Sequence, residues 1–181
     1  MRIALDAMGG DFAPDNEVQG AVLAAQSLGT SSDLEVIFVG REKDIRAALS
    51  KVDASRLKYS IVHTDEVVGM GDEPATVIKK KRNSSLVKGI ALHADGKADA
   101  FVSAGNTGAV MTTGTLVLGR IKGVSRPTIG SFFPTVHKRP ALLVDAGANI
   151  GCKARHVYEC AIMGSIYYSK IIGVEHPKVG L

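Results

Sequence analysis

Short apolar runs recur along the 181-residue chain, most ending near an acid or a glycine and most followed by a stretch of helical periodicity. That alternation limits what the chain can fold into more than any other feature. Arg2 to Ala7 reads as a short buried strand, Leu34 to Val39 as a second and Lys58 to His63 as a third. Ala100 to Val102, Thr128 to Phe133 and Ala141 to Val144 add three more, and a final strand opens at Lys178 after Pro177. Between the first two, Val18, Val22, Ala25 and Leu28 share one helical face behind Pro14, a residue suited to a first helical turn. Further helices are predicted at about 42–49, 75–81, 86–93, from the Ser103–Gly108 loop to 118, and at 156–172. Strands alternating with helices of this length predict βαβ units. The expected fold class is therefore α/β, an open and mostly parallel sheet with helices on both faces.

Composition removes several function classes. The excess of 22 basic over 18 acidic residues leaves only +4. The densest basic run, Lys79-Lys80-Lys81-Arg82, has no aromatic residue beside it, so no nucleic-acid partner is expected. Cys152 and Cys160 form neither a CxxC pair nor a disulfide framework, which fits a reducing setting. The first residues meet Asp6 after Ile3-Ala4-Leu5, unlike a signal peptide, and no apolar run reaches the roughly 18 residues of a membrane span. A cytoplasmic protein is the expectation. His93 and His137 lack ligand spacing and no HExxH occurs, so neither metal nor cofactor is expected.

Glycine is over-represented, at 20 of 181 residues, and its placement is the first functional clue. Met8-Gly9-Gly10-Asp11, Ser103-Ala104-Gly105-Asn106-Thr107-Gly108 and Asp145-Ala146-Gly147-Ala148-Asn149-Ile150-Gly151 each follow an apolar run. If the strands are parallel, all three loops lie at their carboxyl ends, the edge where open α/β sheets bind ligands. Glycine lets a ligand approach backbone N–H groups, and the helix N-termini beyond favour anions, so a phosphate-type site is predicted there. Turn formation alone is the competing explanation for Gly9, Gly105 and Gly147. The P-loop and the GxGxxG fingerprint are both absent.

Polar residues in these loops carry two readings each. Asp6 ends an apolar strand, where a charge needs a partner: it orients substrate or a basic group, or it caps the Gly9–Gly10 turn. Asp145 repeats the arrangement, and Asp11 suits a cap on the helix after Pro14. Asn106 and Thr107, beside Gly105 and Gly108, contact a ligand or cap a helix. Ser84 and Ser85 head a helix beside Lys81 and Arg82, which makes an anion seat or a plain solvated face. His63 assists proton transfer or caps, Arg139 lies toward the opposite edge, and Cys160 and Met163 are spaced as core residues. Cys152 would need a basic partner to act as a nucleophile.

With those motifs in hand, the chain resembles the phosphate acyltransferase family of bacterial phospholipid synthesis. The resemblance rests on Asp6-Ala7-Met8-Gly9-Gly10-Asp11 with Ala13-Pro14, on Ser103 to Ala109, and on Asp145 to Asn149 with Cys152-Lys153. Gly69-Met70 through Pro74, and Lys80-Lys81 with Ser84-Ser85, also look like family segments. It implies a fold similar to phosphotransacetylases and isopropylmalate dehydrogenases, and a chain that forms the N-terminal portion, residues 1–181, of one larger α/β acyltransferase domain. It implies transfer of a long-chain acyl group from acyl carrier protein to inorganic phosphate, by a homodimer associated peripherally with the membrane. Asn106, Asp6 and Asp145 are then expected in catalysis. Gly9, Gly10, Lys81, Ser84, Ser85, Ser103, Gly105, Thr107, Gly108 and Asn149 are expected to bind substrate or phosphate. A phosphotransacetylase-like enzyme using acyl-coenzyme A, a related dehydrogenase and a non-catalytic scaffold that binds acyl carrier protein are the alternatives.

Overall fold

Four of the apolar runs pair in parallel in the computed structural model, which describes residues 1–28, 33–136, 138–147 and 151–181. These are β1 (Arg2–Asp6), β2 (Glu35–Gly40), β3 (Lys58–His63) and β4 (Ala100–Val102), in the order β3-β2-β1-β4. The register sets Ala4 opposite both Ile37 and Phe101, so β1 is central. The period-two alternation of β2 sends its apolar side chains to both faces. Val36 and Phe38 join a cluster with Val18 and Ile45, while Ile37 and Val39 pack with Ala4 and Ala98.

The helices supply the covering layers. Val18, Ala21, Val22 and Ala25 form the buried stripe of α1 (Asp15–Leu28), and Ile45, Ala48 and Leu49 that of α2 (Glu42–Leu49). The opposite side carries α3 (Pro74–Lys80), α4 (Ser85–Ala94) and α5 (Thr107–Val117), whose cluster includes Val77, Leu86, Ile90 and Ala109. Gly89 lets α4 lie close on β4: a Cβ there would stand 2.3 Å from the Phe101 ring. From β1 the chain winds through β2 to β3, then crosses back to place β4 on the other flank of β1. The winding direction reverses between β1 and β4, which makes their carboxyl ends a topological switch point.

Contacts divide the chain into two units, Met1–Gly119 and Arg120–Leu181. The second holds β5 (Gly130–Phe133) and β6 (Ala141–Val144), paired antiparallel, and the helix α6 (Ala154–Ile172). Gly164 of α6 sits where a Cβ would meet Val144 Cγ2 at 2.7 Å, and the Tyr168 hydroxyl donates to the Pro140 carbonyl at 2.7 Å. No described helix is long and apolar enough to cross a membrane.

The structure departs from the sequence reading at two places. The strand expected from Lys178 does not form, since no described strand offers it a ladder. The third glycine loop follows a strand that is antiparallel to its partner and lies in the other unit, outside the four-stranded parallel sheet. The reason is legible in length: only residues 134–140 join β5 to β6, whereas a parallel crossover needs about a dozen or more.

Phe38 is completely buried and its ring meets Tyr59 edge-on, with centroids 5.9 Å apart. Phe38→Ala is expected to cost about 3–5 kcal/mol of stability, read from urea unfolding of the intact protein. A loss below about 1 kcal/mol would contradict its central place in the sheet's core.

Candidate functional site

At the switch point the two loops of the parallel sheet touch. Asp6, only 2% exposed at the end of β1, accepts from the Met8 N–H at 3.2 Å and from the Ser103 hydroxyl at 2.8 Å. Ser103, just past β4, in turn accepts from the Gly105 N–H at 3.1 Å. A buried carboxylate, a hydroxyl and a backbone amide thus link β1 to the loop before α5. The glycines permit this approach. A Cβ on Gly9 would lie 2.7 Å from Asp6 Oδ2 and 2.9 Å from the Gly105 nitrogen, and one on Gly105 would lie 3.0 Å from the Gly9 Cα and carbonyl oxygen. Neither has a positive φ, so close packing, rather than turn geometry, requires glycine at both. Gly108 serves the same purpose against Pro74, 2.7 Å from its would-be Cβ, and Gly10 against Glu17.

Asn106 fixes a third loop to this pair. Its Oδ1 caps α5 by accepting from the Ala109 N–H at 2.9 Å. Its Nδ2 donates to the carbonyls of Gly69, Met70 and Asp72, at 3.3, 3.2 and 3.0 Å. Lys81 holds the same loop by donating to the Val67 carbonyl at 2.8 Å and pairing with Asp72. The Lys81 ammonium, followed by the Gly69 N–H, keeps the Asp72 carboxyl below its ordinary value of 3.8.

The N-terminus of α5 is the open donor end. Thr107 is exposed and Gly108 half-buried, and among the described residues neither N–H finds an acceptor. The dipole of α5 and these two amides favour an anion beside the Thr107 hydroxyl. The α4 N-terminus differs. Glu66 occupies it with its own oxygens, its carbonyl taking the Ser85 N–H at 3.1 Å and its carboxylate the Asn83 N–H at 2.8 Å. The Ser84 hydroxyl caps α4 and donates to the Lys81 carbonyl, and both serines are buried. Lys81, Ser84 and Ser85 therefore brace the site wall in this structure, and the Ser85 hydroxyl has no partner among the described residues.

The comparisons with known proteins fit this geometry. A family model described as "Fatty acid synthesis protein" matches residues 1–181. The chain belongs to this family. It is 44% identical over 181 residues to a phosphate acyltransferase of Dictyoglomus turgidum, covering 100% of this chain and 53% of that one. Phosphate acyltransferases of Herpetosiphon aurantiacus and Desulforamulus reducens are 46% and 47% identical over all of this chain, which covers 48% and 53% of theirs. The chain thus spans about half the length of the curated relatives it matches. Among solved structures, a phosphotransacetylase from Streptococcus pyogenes superposes with a TM-score of 0.65 at 18% identity, over 96% of this chain and 55% of that one. That likeness establishes a shared α/β fold, the one expected from the alternation of strands and helices.

The remaining residues singled out in this fatty acid synthesis family chain have distinct placements. Asp145 lies in the second unit, in the left-handed region with φ 66°, and accepts from the Cys152 thiol at 3.4 Å. That hydrogen bond, with burial second, pushes the Cys152 thiol above 9.0, which opposes use as a nucleophile. Asn149, with Ala148 and Ile150, and His137 lie outside the described residues. A ring nitrogen of His63 accepts from the Glu42 N–H, and the ring lies 3.4 Å from Asp65. Glu159 of α6 accepts from Ser125 and Arg155, which lower its carboxyl to about 2, within the second unit.

Glu17 and Glu66 were not foreseen. Glu17 is 9% exposed, its Oε2 has no partner among the described residues, and its carboxyl lies against Gly10. Burial above all, with nearby Asp6 and Asp15 assisting, raises its pKa from 4.5. The only hint in the sequence is an acid three residues past Pro14, on the face that Val18 and Ala21 flank. An acid whose folded pKa is raised contributes fully below its unfolded value and destabilises as pH rises through the folded one. Glu17→Gln should therefore be more stable than the parent by a margin that grows above pH 4.5, in unfolding curves run across pH. A margin independent of pH would show that Glu17 ionises freely. Gly9→Ala should cost about 1–3 kcal/mol in the same assay, because its methyl group would collide with Asp6 and Gly105; a neutral result would contradict the loop contact.

Proposed function

We propose that the whole protein transfers an acyl group from the thioester of acyl carrier protein to inorganic phosphate; the relatives' name, phosphate acyltransferase, supports the transfer to phosphate, and the carrier as donor is part of the proposal. The observation that carries this reading is the open N-terminus of α5, with Thr107 and the Gly108 N–H, placed at the switch point by the Asp6–Ser103–Gly105 link. Phosphate is itself an oxygen nucleophile, so the chemistry asks for positioning and charge stabilisation. A phosphate oxygen attacks the thioester carbon, the C–O bond forms, and the C–S bond breaks. The carrier thiolate leaves readily, since thiol pKa values lie near 8.5, and takes up the proton that phosphate loses. Acyl phosphate and free carrier are the products.

In this reading Thr107 and the Thr107 and Gly108 N–H groups hold phosphate. Asp6 acts through Ser103, fixing the loop without meeting the anion it would repel. Asn106 positions the 64–73 loop and caps α5. Further parts of the proposal are long-chain specificity, a supply of acyl phosphate for phospholipid synthesis, a homodimer, a cytoplasmic location and peripheral membrane association. Support for them is the family membership alone.

The test uses full-length protein with an acyl carrier thioester. Free carrier should appear only when phosphate is added, with acyl phosphate in equal amount; phosphate-independent release would overturn the reading in favour of a thioesterase. The same acyl group on coenzyme A should be the poorer donor, and a preference for it would overturn the carrier assignment. Thr107→Val is expected to raise the KM for phosphate roughly tenfold or more, the worth of one hydrogen bond to a charged group. An unchanged KM would remove Thr107 from the phosphate site.

A further inference from the structure

The site leaves most of the basic run Lys79–Arg82 unused. Only Lys81 turns inward, to Val67 and Asp72. Lys79, Lys80 and Arg82 are exposed at the end of α3, and no carboxylate pairs with any of them among the described residues. Lys80 merely adds a longer-range pull on Asp72. Five cations against two acids between Asp72 and Lys88 give that stretch a net charge of +3, most of the chain's +4. Lys79 and Lys80 sit in the last turn of α3, where the helix dipole favours cations, and that leaves their ammonium groups outward and free to meet a partner.

Position gives the cluster a use. Pro74, at the start of α3, packs against Gly108, and Asn83 just beyond the run is held by Glu66. The cations therefore stand on the same sheet edge as the switch-point loops. Three exposed cations do not form a seat for a small anion, which needs converging donors. Their field extends about 8–10 Å at physiological salt and suits a broad acidic surface.

We propose that Lys79, Lys80 and Arg82 form the docking face for an acidic protein surface. This rests on the acyl-transfer reading above, in which that partner is the carrier bearing the thioester. Charge complementarity here acts mainly on encounter and orientation, and so on kcat/KM for the protein-borne donor.

The experiment compares full-length parent with Lys79→Glu/Lys80→Glu, and with Lys79→Ala/Lys80→Ala as a milder pair. Each receives the same acyl group on acyl carrier protein and on a small neutral pantetheine thioester. The Glu pair should lose about tenfold or more in kcat/KM with the carrier at low salt. It should also lose most of the salt dependence and keep its rate with the small donor. The Ala pair should show a smaller loss with the same donor selectivity. Equal rates with the carrier, or a parallel fall with both donors, would overturn the docking face. Binding of fluorescent holo-carrier to the same proteins needs no turnover, so it separates this inference from the reaction itself. Parent binding that the substitutions weaken supports the face even if no phosphate-dependent turnover is found, and absent or unchanged binding overturns it.

Discussion

Two glycine backbones in contact, with a buried carboxylate beside them, are the constraint on which the rest of the site depends. Gly9 and Gly105 approach so closely that neither tolerates a side chain, and Asp6 ties them through Ser103 and Met8. An unpaired carboxylate at that depth would be costly. Its hydrogen bonds to both loops convert the cost into a fixed geometry. Because β1 and β4 flank the reversal of winding, fixing these loops also fixes where α5 begins. The cap by Asn106 then carries the order outward to the 64–73 loop, and Lys81 and Asp72 complete the wall.

This arrangement explains which helix end is available to an anion. Both α4 and α5 start at the same sheet edge, yet Glu66 takes the first N–H of α4, that of Ser85, and the Asn83 N–H just before it, while Leu86 behind them is buried. At α5 the cap is a neutral amide, and the first two N–H groups stay open. Glu17 adds a second acid to the buried layer, and the rise in its pKa reflects a pocket that disfavours another negative charge. The donors thus face outward while the acids lie beneath them. A phosphate would meet amides and a hydroxyl before it met a carboxylate.

Much of the fold was legible because period-two runs and helical stripes are local. β4 and β6 fall on the residues expected, and α2 spans Glu42–Leu49 as read. What failed was pairing, which is not local. The run at Ala141–Val144 looks the same whether its partner is parallel or antiparallel, and only the short connection from Phe133 distinguishes the two. In the site, the loops after β1 and β4 were placed on one edge correctly, but the role of their glycines was only partly visible. Sequence shows that a Cβ is missing and not what it would strike. Glu66 escaped notice because its partners, Asn83 and Ser85, come from a different segment. Glu17 escaped because an acid in a first helical turn ordinarily faces water.

In the proposed function, phosphate settles on the head of α5 because Asp6 holds the two glycine loops together. Amide chemical shifts of full-length protein, followed as inorganic phosphate is added, test it directly. The largest changes are expected at Thr107 and Gly108, and their loss in Asp6→Ala under conditions where the fold persists. Changes centred on the head of α4, or changes at α5 that survive Asp6→Ala undiminished, would contradict it.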